Sequence, residues 1–410
     1  MNARAVTWIS VLAIVVGVWG GELTGTAEAE APAPGLGPAA ATGAFGLDLM
    51  RAEGSGNLVL SPDSIAAALA MTGSGGAGRT ATEIAETLHL EGPAAFADVG
   101  DLQLRIAAGQ AAAAVGDPEP PTLDIANGLF LQQGLPVDPT FLSGLGLHFG
   151  VTPEPVDFAG DPTAAVNAIN GWVSDHTSGL VPRILDSVPS ELALALANAV
   201  YFKASWLHQF EKKGTRPGPF FGGGGRTTAE FMHQTESLRY GSGRGYRAVE
   251  LPYRSSTLSL MVVLPVGRRL GSLQHRLGGR GLARIARGLS RREVILSLPR
   301  FHLNTETELA GALGRLGMPT AFSESADFSR ITMATRLKIA FVRHVADLIV
   351  DEKGTEAAAA TVVGIETTSA EAPPRNAVSF NADRPFLFFL RDDRTGAVLF
   401  AGRLTNPTPP

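Results

Sequence analysis

Side-chain catalysis needs a nucleophile, a base and a group that orients the base, and this chain offers no compact version of that set. There is no G-x-S-x-G turn and no H-E-x-x-H helix, and the eight histidines are scattered. The sequence has no cysteine, so thiol catalysis, disulfides and thiolate metal sites are excluded. The glycine runs at 73–78 and 222–225 lack the lysine and preceding strand of a phosphate cradle, and both read as turns. No metal or small-molecule cofactor is indicated. A hydrolytic triad assembled from distant residues is left open, to be tested by turnover of ester or peptide substrates.

The segment that fits no ordinary element is KGTEAAAATVVGIETTSAEAPPRNAVSF, after Val350-Asp351-Glu352. Thr355 to Ala360 favour a helix by composition. The chain then turns β-branched and ends in a polar, proline-bearing tail. Read as a strand, Thr355, Ala357, Ala359, Thr361 and Val363 share one face, all small or β-branched, so the segment can slide between existing strands. An Ala-rich surface helix or a linker is the other reading of the same residues.

The elements that must position such a segment are legible in outline. The 410 residues are 45% apolar, enough for a sizeable core, and carry a formal net charge of -5, which gives no basic face for nucleic acid. Arg4, an apolar stretch from Ile9 to Trp19 and Ala27-Glu28-Ala29 read as a secretory signal over 1–29, with a retained anchor as the alternative. Residues 30–42 are Pro, Ala and Gly and read as a disordered leader; a globular domain is expected from 43 to 407. Ser61-Pro62-Asp63-Ser64 starts a helix that Gly73 ends, and Val166, Ile169, Trp172 and Val173 recur at helical spacing. Apolar, β-rich runs at 258–265, 292–303, 337–352 and 385–404 read as strands, the last a hairpin turning at Asp392 to Gly396. Helices early and antiparallel strands late define an α+β domain.

The segments NLVLSPDSIAAALAMTGSGGAGRTATEI (57–84), INGWVSDHTSGLVPRIL (169–185), LANAVYFKASWLHQF (196–210), VELPYRSSTLSLMVVLP (249–265), LGMPTAFSESADFS (316–329), DEKGTEAAAATVV (351–363) and DRPFLFFLRDDRTGAVLFAGRLTNP (383–407) lie in order along the chain. On these motifs the chain resembles, over 43–407, the serpin family of protease inhibitors. The Ala, Gly, Arg and Pro bias suggests a bacterial member, and the signal read at 1–29 an exported one. The resemblance implies three β-sheets, about nine helices and a reactive loop, here about 352–377, displayed above a five-stranded central sheet. It implies no catalysis of the protein's own. The partner implied is a serine protease, held by a monomeric inhibitor as a covalent acyl complex after it cuts the loop.

The resemblance also assigns residues. Glu352 is the glutamate at the base of the loop and Arg300 its basic partner, while Trp206 lies under the top of the sheet. Ser61, Ser64, Asn198 and His344 form the polar cluster where the sheet parts. Gly354 gives the hinge backbone freedom, Thr355 is small enough to be the first residue buried on insertion, Glu356 faces solvent after insertion, and Ala357, Ala358, Ala359 and Ala360 keep the insertion path clear. Counting from Glu352 places the reactive bond at Thr368-Ser369, with Thr367-Thr368 and Ser369-Ala370 as alternatives. A small uncharged residue before the bond suits elastase-like or subtilisin-like proteases, and Arg375 is a minor site. DLQLRIAAGQ (101–110) carries one arginine, so no sulfated-polysaccharide activator is indicated there. A non-inhibitory binding or chaperone role is the alternative function.

Overall fold

The computed structural model describes residues 36–92, 94–189, 192–267, 269–355 and 376–407. The expected signal at 1–29 and loop residues 356–375 lie outside the described residues, as do three residues at the carboxy end.

Nine α-helices occur among the described residues: α1 (Pro38–Ala52), α2 (Pro62–Ser74), α3 (Gly78–Thr87), α4 (Ala95–Ala113), α5 (Pro139–Phe149), α6 (Pro162–His176), α7 (Leu270–Arg276), α8 (Gly279–Arg287) and α9 (Ala310–Leu316). The strands of the first half are β1 (Leu58–Leu60), β2 (Thr122–Gln132), β3 (Pro153–Val156) and β4 (Leu194–Ser205). Then come β5 (Arg216–Gly222), β6 (Gly225–Gly243), β7 (Tyr246–Pro252), β8 (Leu258–Pro265), β9 (Ser290–Pro299) and β10 (Phe301–Glu308). The last are β11 (Arg343–Val350), β12 (Gly354–Thr355), β13 (Val378–Asn381), β14 (Phe386–Asp392) and β15 (Val398–Leu404).

The three expected sheets are present, two of them joined. A nine-stranded sheet runs β1-β15-β14-β8-β7-β6-β9-β13, with β5 also on β6. The long β6 joins its two parts, pairing β5 through Gly225 to Phe231 and β7 through Arg239 to Gly243. The central sheet runs β10-β11-β12-β4-β2-β3. Every residue of strands β14 and β15 is buried, and in the turn between them Gly396 takes φ +79°, a conformation glycine adopts without strain.

Helix ends follow local chemistry. The Ser61 side chain accepts the amide of Ser64 and caps α2, and Asp161 does the same for α6 through the amide of Ala164. The first helix corrects one boundary: it begins at Pro38, so residues 38–42 are helical, with Ala41 and Thr42 buried, rather than leader. Proline at the start of a helix costs nothing, because its missing N–H has no partner there anyway. Helix α2 runs one residue past Gly73, to Ser74.

Two strand runs are also shorter than their composition suggests. The run at 292–303 breaks at Arg300, where β9 leaves one sheet and β10 enters the other. The run at 337–352 becomes a strand only from Arg343; Leu337, Ile339 and Val342 instead pack on the core beneath, with the Ile339 amide on the Ala321 carbonyl. Apolar residues there fill volume without a neighbouring ladder to join.

Candidate functional site

The site is the seam of the central sheet. Strands β11 and β4 run parallel, and among the described residues the ladder between them consists of β12 alone: Thr355 sits opposite Val350 on one side and Ala204 on the other. Below that wedge the two strands flank a cleft. Its upper part is lined by Asn198 to Phe202 of β4 and by Arg343 to Ile349 of β11. Val173 and Thr177, at the end of α6, also line it. Its lower part opens into a cavity of about 530 Å³ between Leu194 to Asn198, the α2 side chains Ile65, Ala68 and Leu69, and Arg336 to His344. The expected five strands are there, but Gly354 and Thr355 of the loop already sit among them as a sixth.

A tight turn makes that wedge. The Asp351 carboxylate accepts the amides of Lys353 (2.9 Å) and Gly354 (3.2 Å), and the Asp351 amide donates to the Gly354 carbonyl at 3.0 Å. This Asx turn reverses the chain from β11 into β12. Gly354 also makes a close approach possible. A Cβ there would collide with the Ala204 carbonyl and lie 2.8 Å from Ser205 Cα, so only glycine lets β12 lie against β4.

Trp206, 1% exposed, holds the turn from below. Its indole N–H donates to the Asp351 carbonyl (2.9 Å) and its backbone amide to the Lys353 carbonyl (2.8 Å). Tyr253 stacks on its ring at 4.5 Å and Phe210 meets its edge at 6.5 Å. Glu352 is buried between its neighbours: Arg300 Nε is 3.5 Å from one carboxylate oxygen and Thr215 Oγ1 donates to the other at 2.8 Å. Among the described residues Arg300 Nε makes no hydrogen bond, so the pair is a charge contact rather than a bidentate bridge.

The polar cluster is split across the cleft. On one side His344 Nε2 accepts the Ser61 amide at 3.2 Å, and Ser61 Oγ donates to the Leu399 carbonyl at 2.7 Å. Ser64 contributes its backbone amide to Ser61 Oγ. Burial alone pushes the His344 imidazole down to about 4, so it is neutral in the folded protein. On the other side Asn198 does not meet His344; its Nδ2 donates to Asn127 Oδ1 at 2.6 Å. Both residues line the same cleft. Sequence reading missed Asn127, Gln103, Asp351 and Thr215. Asp351, three residues before Gly354, carried a turn signal; the others carried none, because their partners are distant in sequence.

Thr355 is placed only through its backbone in β12. Glu356, Ala357, Ala358, Ala359, Ala360, Thr367, Thr368, Ser369 and Arg375 lie outside the described residues.

The central sheet thus carries a two-residue strand wedged between β11 and β4 at the head of an open seam. The family model described as serpin (serine protease inhibitor) matches residues 40–407, and the chain belongs to the serpin family. The family is one of protease inhibitors, not of enzymes. The chain is 35% identical over 373 residues to a leukocyte elastase inhibitor of Bos taurus, covering 88% of this chain and 96% of that one. The solved native structure of the thermophilic serpin tengpin matches with a TM-score of 0.76 at 26% identity, over 89% of this chain and 93% of that chain. A cleaved serpin 42Da matches with a TM-score of 0.78 at 28% identity, over 90% and 98%.

Proposed function

We propose that the protein is an exported, irreversible suicide inhibitor of serine proteases of elastase-like or subtilisin-like specificity. The observation that carries the reading is the seating of β12 between β11 and β4. Continued in the register it already holds, that strand places residue 361 opposite both Asn198 and His344, and residue 365 opposite Leu194, the first residue of β4. The seam therefore has room for the loop down to a few residues short of the Thr368-Ser369 bond.

In the proposed reaction the protease serine Oγ attacks the Thr368 carbonyl carbon. The bond to the Ser369 nitrogen breaks, the new amine takes the proton, and an acyl ester to Thr368 remains. The freed loop then enters the seam as a strand of about 15 residues, carrying the protease roughly 50 Å at about 3.3 Å per residue. Distortion of the protease at the end of that path halts hydrolysis of the ester. The cleaved form is the more stable one, and the intact form is held kinetically.

The test is to mix purified protein with elastase, subtilisin, chymotrypsin and trypsin, look for a denaturant-resistant complex, and weigh the released carboxy-terminal peptide. A covalent band with a peptide beginning at Ser369 is expected, with Thr368 or Ala370 as neighbouring starts. Cleavage by all four with no complex overturns inhibition and leaves a binding or chaperone role. Amino-terminal sequencing of the exported protein, expected to begin near residue 30, tests the signal.

A further inference from the structure

Asp63, in the first turn of α2, is fully buried, and no cation pairs with it among the described residues. Its one side-chain partner there is Gln103 of α4, whose Nε2 donates to Oδ2 at 2.8 Å; Oδ1 has no partner. The contacts continue. Asn127 Nδ2 donates to Gln103 Oε1 at 3.0 Å, and Asn198 Nδ2 donates to Asn127 Oδ1 at 2.6 Å. The chain ends at Asn198 Oδ1, which is buried without a partner among the described residues, on a residue that lines the seam between β4 and β11.

The direction of these bonds follows from their closed end. An ionised carboxylate only accepts, so Gln103 must turn its NH2 toward Asp63 and its oxygen toward Asn127. That oxygen takes the NH2 of Asn127, which also donates to the Phe149 carbonyl at 3.2 Å. The Asn127 oxygen is thereby left for the NH2 of Asn198. We propose that Asp63 is a positioning residue for strand entry: acting through Gln103 and Asn127, it makes the carboxamide of Asn198 present an acceptor oxygen to the seam.

The opposite wall is complementary. His344 Nε2 accepts the Ser61 amide, so the neutral ring carries its proton on Nδ1 and is a donor. A strand entering in the register of β12 brings residue 361 between the two. An acceptor on one wall and a donor on the other hold a hydroxyl there better than two like groups would.

Burial pushes the Asp63 carboxyl up to about 6. Once protonated it can donate as well as accept, and its bond to Gln103 loses the charge that oriented the chain. Among the described residues Gln103 on α4 is the one side chain that acts on its titration, and His344, behind the cap residue Ser61, stays neutral down to about 4. Between pH 5 and 8 Asp63 is therefore the titrating group of this network.

The inference rests on the proposed entry of the loop into this seam. It is tested on the full chain with a labelled peptide of residues 355–367, whose uptake is followed by native gel at pH 7.5 and 5.5. Wild type is compared with Asp63→Val, Asp63→Asn, Asn198→Ala and the Asp63→Val/Asn198→Ala double variant. Asp63→Val should slow uptake about three- to tenfold at pH 7.5, the worth of one hydrogen bond, and should add nothing in the Asn198→Ala background. Wild type should slow about threefold from pH 7.5 to 5.5 while Asp63→Asn, which does not titrate, stays level. A level wild-type profile, or an Asp63→Val effect undiminished without Asn198, overturns the proposal. Should Asp63→Val not fold, the wild-type and Asp63→Asn profiles decide. If wild type takes up no peptide at either pH, loop entry itself fails and the proposal falls with it; uptake unchanged by the variants sinks only the role of Asp63.

Discussion

Arg300 Nε lies 3.5 Å from Glu352 Oε2, joining the corner between β9 and β10 to the turn that launches the loop. Side-chain exposure is 31% for Arg300 and 8% for Glu352, so the carboxylate is the more costly partner to strand. Arg300→Ala leaves Glu352 with Thr215 as its side-chain partner and should destabilise the protein by about 1–2 kcal/mol, discounted for the exposure of the arginine. Urea unfolding measures it. An unchanged midpoint would show that Thr215 alone satisfies the carboxylate.

Replacing Gly354 should act through contact, not through backbone entropy. Gly354→Ala drives a methyl into the Ala204 carbonyl and Ser205 Cα, and should expel β12 from the head of the sheet at a cost of about 1–3 kcal/mol. Hydrogen exchange reports it directly, as loss of protection at the Trp206 and Phe210 amides, which bond the Lys353 and Glu352 carbonyls. Retained protection would mean that β12 fits with a Cβ.

Thr355→Arg should convert an inhibitor into a substrate. The position directly follows Gly354 between two strands, and an unpaired guanidinium there resists burial. The readout is the ratio of cleaved to trapped inhibitor, which should rise at least about tenfold, since burying an unpaired charge costs well over ~1.4 kcal/mol. Trapping as efficient as wild type would defeat the insertion mechanism.

His344 should make the fold acid-sensitive. Its folded value is depressed to about 4 by burial, whereas an unfolded histidine titrates near 6.5, so its contribution is present above pH 6.5 and lost as pH falls toward 4. Lowering pH from 7.5 to 5 should cost about 2 kcal/mol through this one group. His344→Gln should flatten that part of the stability profile; an equally steep profile in the variant would assign the sensitivity elsewhere.

Asp63 carries the opposite sign. Its folded value is raised to about 6, so its favourable contribution is complete below the unfolded value near 3.8 and is lost as pH rises through 6. Relative to Asp63→Asn, wild type should therefore gain roughly 1–2 kcal/mol between pH 7.5 and pH 5, whatever the offset at either end. Paired denaturation curves check it, and a gap that does not move would place the Asp63 titration outside that range.

Sequence alone determined what local chemistry dictates. Ser61 before Pro62 and an apolar run specify a capped helix, and the alternation around Asp392 to Gly396 specifies a hairpin, because caps, turns and periodicity are properties of neighbouring residues. The resemblance points to Glu352 and Arg300 as partners, and Arg300 Nε lies 3.5 Å from a Glu352 carboxylate oxygen. Tertiary structure decided the rest. Whether 337–342 is a strand depends on a ladder partner that packing withholds, and whether Gly354 is needed depends on the Ala204 carbonyl of β4, far earlier in the chain. The line from Asp63 through Gln103 and Asn127 to Asn198 was equally invisible. Each link is an ordinary polar residue with no periodicity or spacing to mark it, and only the packing of α2 and α4 against β2 and β4 makes four such residues into one hydrogen-bonded chain.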